Sequence, residues 1–266
     1  MLSKSAFLTG IVVMAALISS CLAESPGIPK WTLTTITKVK PEMRQEFETC
    51  LKQMAAAYKK AGSPWFQTFE TFAGDTTEYT TVVPVMKFGD LDAPPVLTKV
   101  LGKAEWQRLS GRLARCYTAQ TCQYATPQAE LEIDRDVPVG TYWVETRTFV
   151  APGKMADYLN WLANDYRPAL EKAGVRRFRV LQPIFGAAAG EIVTMRVLEN
   201  LAEIDRGSVL SKALSDGEVR VLVAKPTPLV NSSQTRIIRM RAELSYNEQP
   251  PAPDIREGAV RLTTRR

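Results

Sequence analysis

The sequence predicts an α+β protein made of two tandem copies of one β-α-β-β-α-β unit, which is the order of a ferredoxin-like fold. Three observations predict this class. An internal repeat has a nearly constant offset, a proline follows the first strand of each copy, and the helix after that proline carries an apolar stripe with a period of 3.6 residues. The composition, 45% hydrophobic and 23% charged over 266 residues, is typical of globular proteins.

The repeat relates the two copies by an offset of 111 residues that then becomes 112. At the offset of 111, Trp31 corresponds to Tyr142 and Pro41 to Pro152. We place the extra residue at Gly153 or Lys154, in the turn before the helix. The matches after it are Met43 with Met155, Phe47 with Leu159, Cys50 with Leu162 and Gly62 with Gly174. The repeat therefore predicts that Cys50 and Leu162 occupy equivalent buried positions.

Each copy begins with a strand rich in Thr, Val and aromatic residues, at 31–39 and 142–150. Pro41 and Pro152 suit the first turn of a helix, where a missing N–H costs nothing, and the Lys-Ala-Gly segments at 60–62 and 172–174 suit its end. The remaining expected elements are second strands at 65–72 and 178–181, third strands at 79–86 and 192–198, further helix over 96–116 and 201–223, and fourth strands at 129–134 and 236–244.

The predicted organisation has four segments. A leader occupies 1–23, the first barrel unit 28–135, the second unit 140–245, and a Pro-rich basic tail 247–266. The tail lacks hydrophobic periodicity and is expected to be disordered.

The N-terminal segment has the pattern of an export signal. Lys4 precedes an apolar run from Ala6 to Ile18, which is long enough for a signal peptide and too short to span a membrane. Two cleavage sites compete. Ile18-Ser-Ser-Cys21 is similar to a bacterial lipobox, whose cysteine is lipidated, and cleavage after Ala23 would instead release a soluble protein. We expect a periplasmic or outer-membrane lipoprotein whose lipid is its one contact with the membrane. The alternative is a secreted protein.

Export is directly testable. We expect residues 1–20 or 1–23 to be absent from the mature protein, because both cleavage sites follow the apolar run. N-terminal analysis that found Met1 intact in cells would contradict this. Palmitate labelling of wild type and Cys21→Ala separates the two routes, since the lipoprotein alone loses its label in the variant.

The cysteine content agrees with an oxidising compartment. Besides Cys21 the chain has Cys50, Cys116 and Cys122, and a turn between the last two would allow a disulfide. Zinc is a poorer interpretation, because two thiols without His or a CxxC pair do not form a closed tetrahedral site. Cys50 suits a small buried apolar position.

The second copy resembles the opening of the NIPSNAP family. The segment Val144-Glu-Thr-Arg-Thr-Phe149, followed by Ala-Pro-Gly-Lys-Met155 and an amphipathic helix, has the family's pattern of strand, Pro-Gly-Lys turn and helix. The likeness covers about 142–205 and is weaker over 31–92. It implies the dimeric α+β barrel superfamily, in which two ferredoxin-like sheets face each other as a barrel. The family is largely without an assigned chemistry.

One face of the strand at 142–150 carries the candidate binding residues. Trp143, Glu145, Arg147 and Phe149 alternate with the residues of the opposite face, and we expect them to point into the barrel. Together they could bind a small polar or aromatic ligand. The alternative, which we favour, is that Glu145 and Arg147 form an ion pair that serves the structure.

The two predicted fourth strands differ in charge. Glu130, Glu132 and Asp134 belong to the first copy, and Arg236, Arg239 and Arg241 to the second. We favour two separately solvated faces, because a surface ion pair contributes little. The alternative is that the opposite charges help to determine which strand edges associate.

Several function classes are excluded. The chain has no His, which removes Ser-His and Cys-His catalytic pairs and His metal or haem ligands. It has no P-loop, nucleotide-binding Gly-rich turn or G-x-S-x-G elbow, and its basic residues are scattered, so that we expect no cofactor, no metal, no nucleic-acid partner and no assigned catalytic residue.

Two functions remain. The first is a non-enzymatic barrel that binds a small apolar or aromatic molecule or assembles with a partner, including another copy of itself. The second is a cofactor-independent monooxygenase or isomerase of the antibiotic-biosynthesis monooxygenase type. An open cavity at Trp143, Glu145 and Arg147 favours a ligand or a reaction, and a barrel filled by side chains favours a scaffold.

Overall fold

A computed structural model describes residues 29–134 and 142–247. The predicted leader at 1–23 with Cys21 lies outside the described residues, as does the predicted tail 247–266 except for Asn247, which belongs to a short strand. Among the described residues, no helix is long and apolar enough to cross a membrane.

The first half, 29–134, contains five strands and three helices. Its elements in chain order are β1 (Trp31–Val39), α1 (Arg44–Lys60), β2 (Trp65–Ala73), β3 (Glu78–Val85), α2 (Val96–Leu101), α3 (Lys103–Cys116), β4 (Tyr117–Pro127) and β5 (Ile133–Asp134).

The second half, 142–247, repeats this order. Its elements are β6 (Tyr142–Val150), α4 (Met155–Trp161), a π-helical segment (Leu162–Tyr166), α5 (Arg167–Lys172), β7 (Arg177–Phe185), β8 (Glu191–Val197), α6 (Ala202–Asp205), α7 (Asp216–Ala224), β9 (Val230–Met240) and β10 (Tyr246–Asn247).

Eight of the strands form a closed antiparallel barrel. The order is β2-β3-β1-β4 in the first half and β7-β8-β6-β9 in the second. The halves join where β4 pairs with β7 and where β9 pairs with β2. The two half-sheets are therefore joined edge to edge in one barrel, and the predicted α+β class is confirmed.

Each half also contributes a short strand to the other. β5 of the first half pairs with β7, and β10 of the second half pairs with β2. Both exchanges lie beside a junction between the halves. They cover strand edges that would otherwise present unpaired N–H and C=O groups.

The predicted fourth strands are only partly correct. The observed fourth strands are β4 and β9, and β9 includes 236–240 of the predicted 236–244. Short 3-10 turns occupy Ala129–Leu131 and Ala242–Leu244, and the first prediction overlaps only the two-residue strand β5. The first residues of β4 and β9 are exposed on both faces, so they lack the apolar alternation that predicts a strand.

The position of the extra residue is also wrong. The N-cap residues Met43 (φ −102°, ψ 6°) and Lys154 (φ −104°, ψ 3°) match at an offset of 111, and the C-cap residues Ala61 and Ala173 match at 112. The insertion thus lies inside the helical stretch from α4 to α5 in the second half, where the π-helical segment accommodates it. Leu162 consequently corresponds to Leu51 and not to Cys50, although all three are buried.

Three apolar clusters stabilise the molecule. One lies between the helices and the sheet of each half, and the third fills part of the barrel interior with side chains from both halves. Phe69 of β2 and Trp143 of β6 meet there edge to face, with their ring centroids 6.2 Å apart. The interior cluster therefore joins the two halves through apolar contact.

A substitution at Gly186, directly after β7, tests the close approach of the chain to β4 at the junction between β4 and β7. Its φ is 77°, and a Cβ there would lie 2.0 Å from the carbonyl oxygen of Cys122 in β4. We expect Gly186→Ala to lower the free energy of unfolding by more than the roughly 1–2 kcal/mol that a left-handed backbone costs an L-residue. Gly62→Ala is the control, since φ is 76° and no atom lies within 4 Å of its Cβ. Urea denaturation that gave equal losses would contradict the expectation.

We expect ionisation of Tyr58 on α1 to lower the stability of the fold at alkaline pH. Its ring stacks on Phe66, and burial raises the pKa of its hydroxyl to about 12. Because this pKa exceeds the unfolded value of about 10, the contribution is complete below pH 10 and is lost as the pH rises toward 12. We expect Tyr58→Phe to lose less stability than wild type between pH 8 and pH 11.5 in urea unfolding, by up to about 2 kcal/mol. An identical pH dependence would contradict this.

Candidate functional site

Three of the four predicted binding residues on β6 point into the barrel. Trp143 belongs to the interior apolar cluster, and Glu145 and Arg147 line a small interior cavity. The opposite face packs outward, where Thr148 accepts a hydrogen bond from the Tyr158 hydroxyl at 3.3 Å. Phe149 is half-buried and does not line the cavity.

Arg147 connects three acceptors inside the barrel. Its Nε donates to Oε1 of Glu145 at 2.9 Å, and its Nη1 donates to Oε1 of Glu191 on β8 at 2.7 Å and to the Gln123 amide oxygen on β4 at 3.3 Å. The predicted ion pair between Glu145 and Arg147 is therefore present, within a larger set of contacts.

Arg236 on β9 completes this interior network. Its Nε donates to the same Glu145 oxygen at 2.8 Å, and its Nη1 donates to Glu78 on β3 at 3.0 Å. Hydroxyl oxygens of Thr71 and Thr80 accept longer bonds from it, at 3.4 and 3.3 Å. Glu145 thus accepts from two guanidinium groups, and Arg236 binds acceptors from both halves.

The interior network is buried and satisfied. The Glu145 and Glu191 side chains are each 3% exposed, and the Arg147 and Arg236 side chains are 13% and 14% exposed. A buried charge stabilises a fold only when it is paired and its remaining donors or acceptors are bonded. Among the described residues, the one buried side-chain polar atom that lacks a partner is Nε of Arg239, outside this network.

Little space lies beside this network among the described residues. The cavity beside Glu145 and Arg147 has a volume of about 20 Å³, and Thr34, Gln123 and Met195 also line it. That volume has room for about one water molecule and is far below the 300–1,000 Å³ of typical ligand sites. Beside Glu145 and Arg147 the barrel is filled by side chains, which is the arrangement that favours a scaffold.

A second charged cluster lies at the junction of β2 and β9. The Glu70 carboxylate, buried on β2, accepts from Arg44 of α1, from Arg239 and, at 2.6 Å, from Arg241. We call these four residues with Glu48 the Glu70 cluster. Arg241 also donates to Glu48 of α1 at 2.9 Å, so residues from both halves converge there.

The other junction, between β4 and β7, likewise pairs acidic residues of the first half with basic residues of the second. Glu132 and Asp134 of the first half pair with Arg179 on β7, and Asp134 also accepts from Arg177. Burial raises the pKa of Glu132, although Arg179 opposes this. The acidic and basic segments that the sequence singled out therefore lie at different junctions and do not pair with each other: the acidic one pairs with Arg177 and Arg179, and Arg239 and Arg241 pair with Glu70. The favoured interpretation of two separately solvated faces is wrong for these residues.

The expected disulfide between Cys116 and Cys122 is wrong. Both thiols are free, and β4 begins directly after Cys116 and continues through Cys122. Six residues of strand span roughly 20 Å, whereas a disulfide requires Cα atoms within about 7 Å. Cys116 is buried and donates through Sγ to the carbonyl oxygen of Arg112, and burial raises the pKa of its thiol.

The described residues contain no group of three or more His, Cys, Asp or Glu arranged to hold a metal ion. The sequence analysis identified Glu145 and Arg147 but missed Glu191 and Gln123 as their partners and did not place Arg236 in the interior. These partners lie on other strands, and nothing in the local pattern around β6 points to them.

Comparison with known proteins shows the fold. No protein-family model matches the chain, and no curated protein is similar to it in sequence. Similar solved structures include a protein from Lactobacillus acidophilus NCFM provisionally named as a monooxygenase, with a TM-score of 0.58, 8% identity, and coverage of 83% of this chain and 97% of that one.

Two further solved structures also have a similar fold. An anthrone oxidase-like protein has a TM-score of 0.58 and 14% identity, over 85% of this chain and 96% of its own. A mutant chlorite dismutase from Candidatus Nitrospira defluvii, in complex with cyanide, has a TM-score of 0.51 and 10% identity, over 82% and 93%. At such low identity the likeness shows the fold alone: the chain has the fold of the dimeric α+β barrel proteins.

Proposed function

We propose that the chain is a non-enzymatic, NIPSNAP-like barrel protein that acts outside the cytoplasm and binds a small apolar or aromatic molecule, or a partner, on its outer surface. One observation carries the proposal. The described barrel interior holds the apolar cluster and the Glu145–Arg147–Arg236 network, and the cavity beside this network has a volume of about 20 Å³. The interior thus serves to hold the barrel closed, and binding is left to the outside.

The architecture that we propose is a fused pair of ferredoxin-like units that arose by duplication. The matched cap torsions of the first helix in each half support it, as do two strands of eleven residues, β4 and β9, related by an offset of 113. An Ala-Glu-Leu turn follows each of these strands, at 129–131 and 242–244. A tandem pair lets one chain form the whole barrel.

The proposed location rests on the leader. Lys4, the apolar run and Cys21 favour a periplasmic or outer-membrane lipoprotein, and cleavage after Ala23 would give a secreted protein.

The second candidate is a cofactor-independent monooxygenase or isomerase. It is favoured by the names of two neighbours, one provisionally a monooxygenase and one anthrone oxidase-like. Without His, a proton transfer in the barrel would depend on a group such as Glu145. That carboxylate is engaged by two guanidinium groups, and no substrate-sized space lies beside it.

Two measurements on protein expressed with its own leader separate the candidates. Native mass spectrometry is expected to detect a co-purified small molecule or a stable assembly. Oxygen uptake with an electron-rich phenol or anthrone is expected to equal the protein-free rate. Turnover of such a substrate that Glu145→Gln abolishes would overturn the non-enzymatic proposal.

A further inference from the structure

A cluster of aromatic rings lies on the outside of the barrel, at the junction between β4 and β7. Its members are Trp31, Phe88, Tyr124 and Phe185. The Phe88 ring is central, and its centroid lies 5.0, 4.9 and 5.5 Å from those of the other three rings in that order. Phe88 is exposed, and Phe185 is 53% exposed. The cluster therefore presents packed aromatic surface to water, which another apolar surface would cover.

A β-bulge in β7 turns Phe185 outward. The pairing of β7 with β4 shifts by one residue, so that Ile184 is the extra residue of the bulge. Pro183 before it lines the interior cavity, whereas Ile184 and Phe185 are both exposed. Two neighbouring apolar side chains thus reach solvent at the end of the strand, where strict alternation would have turned one of them inward.

The turn that follows β7 is apolar and uncharged. Residues 186–190 read Gly-Ala-Ala-Ala-Gly, and two of the alanines are exposed. Leu91 is exposed as well, in the 3-10 turn that begins at Phe88. We call the four rings, Leu91, Ile184 and the turn at 186–190 the aromatic patch. Three segments of the chain, which meet through the ring contacts, contribute apolar side chains to it.

The first half has a polar surface at the corresponding place. The bulge of β2 at Phe72 is followed by a turn in which Asp75 pairs with Lys38 at 2.6 Å. The same backbone bond closes both turns, because the amide three residues on donates to the carbonyl oxygen of Asp75 at 3.0 Å and to that of Ala188 at 3.2 Å. An ion-paired aspartate in one half thus corresponds to an alanine in the other. The aromatic patch is therefore a specialised feature of one half of a repeated structure.

The charges beside the aromatic patch are balanced. Lys30 and Lys87 each precede a ring of the patch, Asp90 and Asp92 lie in the 3-10 turn, and all four residues are exposed. Two positive and two negative side chains give no preference for a charged partner. Binding should therefore depend on apolar contact and should change little with salt.

The position of the patch in the chain indicates what covers it. Trp31 follows the predicted lipidation site, Cys21, by ten residues, which can span at most about 35 Å. A lipid on Cys21 would hold the patch near a bilayer, and a tether of this kind raises the effective concentration of even a weak contact. Trp and Tyr are enriched where lipid headgroups meet acyl chains, because one part of each ring system is apolar and the other is polar.

We propose that the aromatic patch lies on the surface of the bilayer to which the Cys21 lipid anchors the chain, with Leu91, Ile184 and Phe185 among the headgroups. This inference rests on the proposed location, and it adds a protein surface to the lipid as a second contact with the membrane. The contact fixes which face of the barrel is turned toward the bilayer and leaves the other faces open to a ligand or partner.

The test uses the chain from Glu24 onward, which contains every described residue. An N-terminal hexahistidine tag holds it on phosphatidylcholine vesicles that contain a nickel-chelating lipid, and the readout is quenching of tryptophan fluorescence by lipid brominated on its acyl chains. We expect quenching in wild type and loss of most of it in Trp31→Phe, because the other four tryptophans lie outside the patch. The quenching should be equal at about 0.1 M and about 0.5 M salt.

Two matched pairs of variants test the surface itself, by partition of the untagged chain into the same phosphatidylcholine vesicles. Phe185→Ser is expected to weaken partition about tenfold, since it removes a half-exposed aromatic side chain. Its control is Phe72→Ser, at the corresponding bulge of β2. Ala189→Asp is expected to weaken partition at least about fivefold, because a carboxylate resists leaving water, and its control is Thr76→Asp in the polar turn. Both controls should partition like wild type.

Four results would overturn the inference. Two are absence of quenching in wild type and equal losses in test and control variants. The third is a dimer that Phe185→Ser dissociates, which would make the occupant a second copy of the chain. The fourth is a co-purified small molecule that Phe185→Ser loses, which would place the ligand of the proposed function on the patch.

Failure of the inference and failure of the proposed function give different results. The nickel-chelating lipid replaces the natural anchor, so that a missing palmitate label on Cys21 would overturn the proposed location whatever the quenching shows. Missing quenching would overturn the role of the patch alone, since neither the palmitate label nor the oxygen uptake depends on it.

Discussion

Arg147→Met is expected to lower the free energy of unfolding by about 3–5 kcal/mol at neutral pH, which is the usual cost of breaking a buried ion pair from one side. The variant leaves the Glu191 carboxylate, whose side chain is 3% exposed, without the cation that binds it at 2.7 Å. Glu145 is less affected, because Arg236 still donates to it at 2.8 Å.

The matched control is the double variant Arg147→Met/Glu191→Gln. Because it removes both charges, we expect it to regain at least half of the stability that the single variant loses. Chemical denaturation of wild type, both single variants and the double variant gives the coupling energy. Strictly additive losses would contradict a direct interaction between the two side chains.

The same set of variants tests whether a ligand binds inside the barrel. The Glu145–Arg147 pair is less suitable, since Glu145 has a second guanidinium partner and a variant of it disturbs Arg236 as well. A co-purified molecule that persists in the folded double variant would place the binding site outside the barrel, as we propose. Its specific loss there would place the site inside.

Much of the fold could be predicted because it depends on local patterns. Pro41 and Pro152 precede helices, the first strands alternate between two faces, and the element order follows from their spacing. The position of the insertion could not be predicted in this way, since turns normally accept extra residues and helices do not. The signal available was the spacing of Phe47 and Leu51, which matches Tyr158 and Leu162 at an offset of 111.

The fourth strands illustrate a different failure. β4 and β9 begin with exposed polar residues, so their hydrophobic pattern resembles that of a loop. The repeated Ala-Glu-Leu at an offset of 113 marks the turn after each strand and could have located both. A match of three residues is informative only when the repeat has been followed as far as β4 and β9.

Only the residues of the candidate site that lie on β6 could be predicted from the sequence. Period two correctly places Glu145 and Arg147 on one face of a strand, but their partners Glu191, Gln123 and Arg236 lie on three other strands. Barrel closure brings these strands together, and closure depends on pairings across the whole chain. The sequence therefore predicts the ion pair between Glu145 and Arg147, but not the further partners that the fold adds to it.

Removal of the Glu70 carboxylate is expected to weaken the junction between β2 and β9. Glu70→Gln should lower the free energy of unfolding by about 3 kcal/mol, at the lower end of the range for buried pairs, because Arg44 and Arg239 are partly exposed and can bind water instead. Arg241 is 14% exposed and would keep Glu48 as its partner. Urea unfolding at neutral pH measures the loss.

The exposed ion pair between Glu105 and Arg108 on α3 is the matched control. Glu105→Gln also removes a carboxylate from an arginine, but in a solvated pair, and is expected to change stability by less than about 0.5 kcal/mol. Equal losses in the two variants would show that the Glu70 cluster behaves as a surface contact.

The Glu70 cluster should also make the fold sensitive to acid. Burial opposes ionisation of Glu48, but hydrogen bonds from Arg241 and Tyr79 outweigh burial and hold the pKa of Glu48 below its ordinary value of 4.5. A carboxyl whose pKa is lowered by folding stabilises the protein above its unfolded pKa, and this contribution is lost as the pH falls below it. We expect Arg241→Met to lose less stability than wild type between pH 6 and pH 3. An unchanged acid dependence would show that Arg241 does not hold Glu48 ionised, and that the two halves are joined at this junction by strand pairing and apolar packing instead.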